Sequence, residues 1–252
     1  PIAMRFLILS DIHSNIDALD AVLARTPPES YDKLIVLGDL VGYGGTPNEV
    51  IDRIFELKPD FLIRGNHDKV ASGVESADKF NRIAGEAARW TQSALTPVNR
   101  ERLAALPAGP ATVDREVEAC HGTPFDEDTY VFDADDATKA LAAAHRPICF
   151  FGHTHVPVAY ALKGSDLSVT HLTPGGDDTK IVNILKKSRY LINPGSIGQP
   201  RDTDARASYA TYDSKKHQVQ IKRVPYRIDL AQLRITEAGL PESLAFRLGL
   251  GR

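Results

Sequence analysis

The chain has 252 residues, of which 42% are hydrophobic and 25% are charged, and its formal net charge is −3. This composition is typical of a globular protein with a sizeable core, in one large domain or two small ones, and it offers no basic field to attract nucleic acid. No apolar run reaches the roughly 18 residues that span a bilayer, and the first run is too short for a signal peptide. We therefore expect no nucleic-acid partner and no membrane segment.

Short apolar runs alternate with helical patterns in the first part of the chain. The predicted strands are 5–10, 33–37 and 61–63, and the predicted helices are about 16–25 and 47–57. Asn15 is predicted to cap the first helix, and Pro47 to open the second. Strand–helix–strand units of this length predict parallel strands joined by right-handed crossovers.

The pattern changes twice after residue 68. Residues 69–108 contain no predicted strand, and we expect a helical cap over the mouth of a site. From residue 111 onward strands dominate, with one helix at about 135–145, which indicates a second, mostly antiparallel sheet. We predict an α/β fold, a four-layer α/β/β/α sandwich of two mixed sheets, with residues 1–224 as its domain and 225–252 as a helical tail packing on it.

Five apolar runs are each followed by residues of the types that bind metal ions. These residues are Asp11 and His13, then Asp39, then Asn66, His67 and Asp68, then His121, and finally His153 and His155. Strand ends at one edge of a sheet form a shared site, so we expect these side chains to converge. Oxygen and nitrogen donors suit Mn²⁺, Fe or Zn²⁺, and the number of donors suits two ions about 3.5–4 Å apart that share one carboxylate.

Each of these residues also has an ordinary structural interpretation when it is taken alone. Asp11 could cap a helix, Asp39 could belong to a turn, and His121 could be a hydrogen-bonded core histidine. Only the joint occurrence of a full donor set favours a metal site. Cys120 and Cys149 lie in apolar runs and are predicted to pack as inert core residues, which favours a reducing cytoplasm.

In their order and at these strand ends, the five clusters resemble the motifs of the calcineurin-like metallophosphoesterases, over residues 5–224. The resemblance implies one metal ion held by Asp11, His13, Asp39 and His155, and a second held by Asp39, Asn66, His121 and His153. It also implies that His67 faces the substrate and that Asp68 orients His67 from behind. The cofactor is expected to be two divalent ions, with Mn²⁺ first and Fe, Zn or Ni as alternatives.

The implied reaction is phosphoester hydrolysis by a metal-bridging hydroxide that attacks phosphorus in line. His67 would protonate the leaving oxygen or stabilise its charge. The candidate substrate contacts are Asn15, Arg64, Ser196 and Arg201. For these residues a structural role stays an open alternative.

The loop after Asp39 narrows the substrate class. Protein Ser/Thr phosphatases of this superfamily continue into an Asp-Arg-Gly segment, whereas this chain reads Gly42-Tyr43-Gly44. The loop and the helical cap look most like the bacterial diadenosine-tetraphosphatase-like branch. We predict a phosphodiesterase acting on small or nucleotide substrates. The alternatives are a protein Ser/Thr phosphatase and a non-catalytic interaction module on the same fold.

Overall fold

Twelve β-strands make up two sheets in the computed structural model, which describes residues 3–173 and 175–252. The strands are β1 (Arg5–Leu9), β2 (Lys33–Val36), β3 (Phe61–Leu62), β4 (Ala111–Thr112), β5 (Val117–Ala119), β6 (Ile148–Phe150), β7 (Val158–Lys163), β8 (Asp166–His171), β9 (Thr179–Asn183), β10 (Arg189–Asn193), β11 (Ala207–Asp213) and β12 (Gln218–Val224). The first sheet has the order β3-β2-β1-β11-β12-β9, and the second has the order β4-β5-β6-β10-β7-β8.

Eight α-helices accompany these strands within the described residues. They are α1 (Ile16–Leu23), α2 (Pro47–Leu57), α3 (Asn66–Ser72), α4 (Arg82–Ala94), α5 (Pro97–Ala104), α6 (Ala134–Ala143), α7 (Ile228–Glu237) and α8 (Glu242–Leu250). The Asn15 side chain accepts a hydrogen bond from the amide of Ala18, so the predicted cap of α1 is confirmed. None of the helices in the described part of the chain has the length and apolar character needed to cross a membrane.

The alternation of strand β1 explains the layering. Phe6 and Ile8 point into the core between the two sheets, whereas Leu7 and Leu9 point to the opposite face, against α1 and α2. Helix α6 covers the outer face of the second sheet. The predicted four-layer α/β/β/α sandwich is thereby confirmed.

Two details of the predicted architecture were wrong. Strands β9, β11 and β12 join the first sheet, where β11 runs antiparallel to β1, although the strands after residue 111 were predicted to form the second sheet. The hydrophobic pattern of a strand predicts which of its faces are buried, but it does not predict which strand lies beside it in the sheet. Asn66, His67 and Asp68 were predicted as part of a polar cluster after a strand, with the helical segment beginning at residue 69, but helix α3 begins at Asn66.

The cap and the tail are packed against each other. Apolar side chains of α4 form one cluster with those of α7 and α8, and Tyr43 belongs to the same cluster. Helices α3 and α5 instead join the layer formed by α1 and α2. The C-terminal helices therefore contact the cap beside the loop that follows Asp39.

The core between the sheets gives a test of this layering. We expect Ile8→Ala to lower the free energy of unfolding by about 2–5 kcal/mol, because the fully buried side chain leaves a cavity. Ile181→Ala is the matched control in a strand of the same sheet, where the side chain is 53% exposed, and it should change stability by no more than about 0.5 kcal/mol. Urea denaturation measures both values. Equal losses in the two variants would contradict the assignment of Ile8 to the core.

Candidate metal centre

Main-chain hydrogen bonds join the loops that follow the central strands. The amide of Asp11 donates to the carbonyl of Gly38 over 3.1 Å, and the amide of His13 donates to the carbonyl of Asp39 over 3.0 Å. In the second sheet, the amide of Gly152 donates to the carbonyl of His121 over 2.8 Å. These bonds fix the carboxyl ends of the strands relative to one another, as the convergence of the motifs requires.

Five of the predicted metal ligands have left-handed backbone conformations. The φ angles of Asp11, His13, Asp39, His153 and His155 lie between 49° and 70°. Residues other than glycine seldom adopt such angles, and several of them in one place indicate backbone strain kept for a function. The turns aim side chains from different loops at one volume.

The converging side chains form two groups that share one carboxylate. Within each group the donor atoms all lie within 4.8 Å of one another. The first group is Asp11, His13, Asp39 and His155, and the second is Asp39, His121 and His153. All of these residues are buried.

The carboxylate of Asp39 lies between the two groups. Its Oδ2 is 3.6 Å from Nε2 of His13 and 3.3 Å from Nε2 of His121. Its Oδ1 accepts the backbone amide of His67 over 2.9 Å. The Oδ1 atom of Asn66 lies 3.3 Å from Nε2 of His121, which adds an amide oxygen to the second group.

Backbone carbonyls determine which nitrogen of each histidine faces the centre. Nδ1 of His13, His121 and His155 lies 2.7–2.9 Å from the carbonyls of Val41, Leu37 and Gln199, respectively. A carbonyl only accepts hydrogen bonds, so Nδ1 carries a proton in each ring and Nε2 faces the centre. His153 is turned the other way, since its Nε2 lies 3.1 Å from the carbonyl of Asp128 and Nδ1 is left for the centre.

This donor set fits a cation. Nε2 of His13 and Nε2 of His155 face each other over 2.9 Å. Burial lowers the pKa of both histidines well below the usual value, so two lone pairs meet without a proton between them. Burial also raises the pKa of the Asp11 carboxyl to about 6, and the neighbouring Asp39 carboxylate adds to this rise. A bound cation would relieve the repulsion in this group.

The ring of His67 lies beside the two groups rather than within them. It contacts the rings of Tyr43, Phe80 and His13, with centroids 4.5, 4.6 and 5.0 Å away. Its Nδ1 is buried without a hydrogen-bond partner among the described residues, and burial lowers the pKa of the imidazole to about 4. The Nδ1 atom is covered by the loop at Gly42, so a ligand would meet another part of the neutral ring.

Asp68 does not contact His67 in the way the sequence suggested. Its Oδ1 accepts the amides of Leu40 and Val41, and its Oδ2 accepts the amide of Gly65. The carboxylate therefore ties the loop after β2 to the start of α3. It positions His67 through the backbone, because both of its oxygens are occupied by amides.

Three of the candidate substrate contacts have protein partners instead. Arg64 forms an ion pair with Glu127 over 2.8 Å. The hydroxyl of Ser196 donates to the carbonyl of Asp11 over 2.7 Å, and the amide nitrogen of Asn15 donates to the carbonyl of Gly198 over 3.0 Å. These contacts are the structural role that the sequence left open.

Arg201 also has a protein partner, but its charge acts on the histidines of the centre. Its guanidinium donates to Oε1 of Gln199 over 2.7 Å and lies 5.6 Å from the centroid of the Tyr43 ring. Its charge contributes to the lowered pKa values of His13, His67 and His155, after the larger effect of burial. A cation beside a neutral histidine cluster is well placed to meet an anionic ligand.

Sequence reasoning missed the aromatic residues around the centre. Tyr130 stacks on His153, with centroids 3.7 Å apart and an interplanar angle of 20°, and Phe80 packs on His67. Neither residue follows an apolar strand, so no strand-end pattern pointed to them. Asp128 lies two residues before Tyr130 and contacts His153 through its backbone carbonyl. Only the folded structure shows that these two residues are close.

Comparison with known proteins agrees with this geometry. The family description "Calcineurin-like phosphoesterase superfamily domain" matches residues 4–217. The chain belongs to the calcineurin-like phosphoesterase superfamily, and it is a hydrolase that acts on phosphoester bonds.

Similar proteins occur in bacteria and archaea. The chain is 38% identical to a metallophosphoesterase from Sphaerobacter thermophilus, with a TM-score of 0.85 and both chains covered completely. It is 34% identical to an uncharacterized protein of Methanocaldococcus jannaschii, over 97% of each chain. A hypothetical protein from Pyrococcus horikoshii shares the fold, with 20% identity, a TM-score of 0.77 and 98% of each chain covered.

Gly65 gives a test of the geometry that deletes no ligand. A Cβ atom at this position would lie 2.1 Å from Oδ1 of Asp39, far inside contact distance. We expect Gly65→Ala to displace the Asp39 carboxylate and to lower the bound metal per chain, measured by elemental analysis after dialysis against Mn²⁺. Gly85→Ala is the control, since its Cβ would come no closer than 3.4 Å to another group. Full metal content in Gly65→Ala would show that Asp39 is not held where we place it.

Proposed function

We propose that the protein is a binuclear-metal-dependent phosphodiesterase acting on small or nucleotide substrates. The observation that supports this proposal is the pair of donor groups that share Asp39. One ion would be held by Asp11, His13, Asp39 and His155, and the other by Asp39, Asn66, His121 and His153. Such a pair of ions supplies Lewis acidity toward the phosphate and generates a nucleophile from water near neutral pH.

The donor atoms suit a first-row divalent ion, and Mn²⁺ is our first candidate. Imidazole, carboxylate and amide oxygen make up both groups, and no thiolate joins them. Fe, Zn and Ni accept the same donors and are the alternatives. We also propose a cytoplasmic location, because both cysteines are free and buried, as expected in a reducing compartment.

The side chains outside the metal groups would act on the phosphoester itself. Arg201 would bind a phosphate oxygen from the side of Tyr43. His67 would stabilise the leaving oxygen by donating a hydrogen bond from its ring, which burial keeps neutral. Asp68 would keep His67 in place by holding the two loops that flank it.

The structure of the loop after Asp39 favours small phosphoesters over phosphoproteins as substrates. The Tyr43 ring packs against His13 and His67, with centroids 4.8 and 4.5 Å away, in the place where the protein phosphatases carry an arginine. A Cβ atom on Gly42 would lie 2.4 Å from Nδ1 of His67, so the loop fits closely over the ring. The complete set of donors is the argument against a non-catalytic module on this fold.

Asp39→Asn tests the shared carboxylate. We expect this variant to lose both ions together and to lose hydrolysis of bis(p-nitrophenyl) phosphate, because one side chain serves both groups. Elemental analysis and a colorimetric assay in Mn²⁺ measure the two effects. Asp52→Asn, at an exposed ion pair with Arg102, is the control that should keep both properties. Two ions retained in Asp39→Asn would contradict the bridging role of Asp39. An inactive Mn²⁺-loaded wild type would contradict the proposed phosphodiesterase activity.

His67→Ala separates binding of the ions from catalysis. We expect the variant to keep the full metal content and to lose about 10²- to 10⁴-fold in kcat, the usual effect of removing a side chain that stabilises the leaving oxygen. His145→Ala, at an exposed position, should behave like the wild type. Loss of an ion from His67→Ala would mean that His67 is itself a ligand.

A further inference from the structure

A cavity opens beside the donor group that contains His121 and His153. It measures about 190 Å³, and two residues of the proposed metal centre, Asn66 and His153, are part of its wall. Its other end lies among Glu75, Ser76 and Lys79, between α3 and α4. We call this cavity the side slot. A substrate phosphate at the metal centre would therefore lie at its inner end.

The walls of the side slot are largely apolar and aromatic. Phe80, Tyr130 and Val70 line it. Phe80 is backed by the ring of His67. Tyr130 lies between the ring of His153 and the ring of Phe132, which stacks on it with centroids 4.9 Å apart and an interplanar angle of 9°. A planar group entering the slot would stack on Phe80 and meet the edge of Tyr130.

Polar groups lie at the rim of the side slot, and an ion-pair network holds them. The buried Nζ of Lys69 is 2.7 Å from the carboxylate of Asp128 and 3.0 Å from that of Glu75. Both residues line the slot together with Ser76, whose hydroxyl donates to the carboxylate of Asp78 over 2.8 Å. Carboxylate oxygens have more than one lone pair, so they can accept further hydrogen bonds from a ligand. The slot thus combines stacking surfaces with acceptors near their edge.

We propose that the side slot binds the nucleobase of the phosphodiester substrate. Phe80 offers a stacking surface, the acceptors suit ring and exocyclic N–H groups, and the inner end reaches the phosphate site. The volume is below the roughly 300 Å³ at which sites for whole drug-sized ligands begin, so it suits one ring system and not a lipid tail or a folded peptide. This inference rests on the proposed function and names the substrate class of the same site.

Binding of a nucleoside to metal-free protein tests the side slot apart from catalysis. Adenosine should bind to the wild type after chelation of metals, and ribose should not, as measured by saturation-transfer NMR and calorimetry. Ser76→Trp should fill the slot from its exposed rim and weaken adenosine binding about 10-fold or more, within the range that base stacking on aromatic side chains contributes. Ser93→Trp, at an exposed serine of α4 outside the slot, is the matched control.

Two esters with the same leaving group test the role of the slot in turnover. With Mn²⁺ bound, thymidine 5′-(p-nitrophenyl phosphate) should have a KM about 10-fold lower than methyl p-nitrophenyl phosphate. Ser76→Trp should abolish this difference by raising only the KM of the thymidine ester, and Ser93→Trp should preserve the difference.

Three results would overturn the proposal. They are absence of adenosine binding to the wild type, equal losses in the two tryptophan variants, and an equal effect of Ser76→Trp on both esters, which would assign the slot to the leaving group. Failure of the proposed function gives a different result. In that case neither ester is hydrolysed, while the binding measurements still decide whether the slot takes a base.

Discussion

The backbone and side chain of Asp39 together hold the parts of the centre in register. Its carbonyl accepts the amides of Ile12 and His13 over 2.9 and 3.0 Å, which fixes the loop after β1. One carboxylate oxygen accepts the amide of His67, and the other lies within 3.6 Å of both His13 and His121. Because one residue makes all these contacts, a displacement of Asp39 would disturb both donor groups and the position of His67 at once.

Electrostatic repulsion among the donor atoms explains why this cluster would need a bound cation to be stable. Buried carboxylates and the lone pairs of neutral histidines are collected in one volume, at the ends of strands that carry strained turns. Among the titratable ligands, His121 has a raised pKa: burial lowers it, but the charge and hydrogen bond of Asp39 raise it to about 10. His121 therefore differs from His13, His153 and His155, whose pKa values burial lowers.

The residues of the centre could be predicted from sequence because each follows a buried strand, and the carboxyl ends of strands meet at one edge. Other features had no local signal. Arg64 lies next to the centre in sequence, but its pairing with Glu127 depends on a loop more than sixty residues away. The family resemblance implied that Asp68 orients His67 directly, whereas an i, i+1 pair on a helix points in different directions. The placement of β11 beside β1 likewise depends on tertiary pairing.

Helix α3 would contribute both to the side slot and to the metal centre, which its short sequence does not reveal. Asn66 and Val70 are four residues apart and therefore share a face of the helix, which lines the side slot. His67, one position on, lies beside the donor groups, and Lys69 binds the loop that carries Asp128 and continues to Tyr130. The helix is buried along most of its length and is tied to the loop after β2 by Asp68. A base in the slot and a phosphate at the centre would thus be aligned by one rigid element.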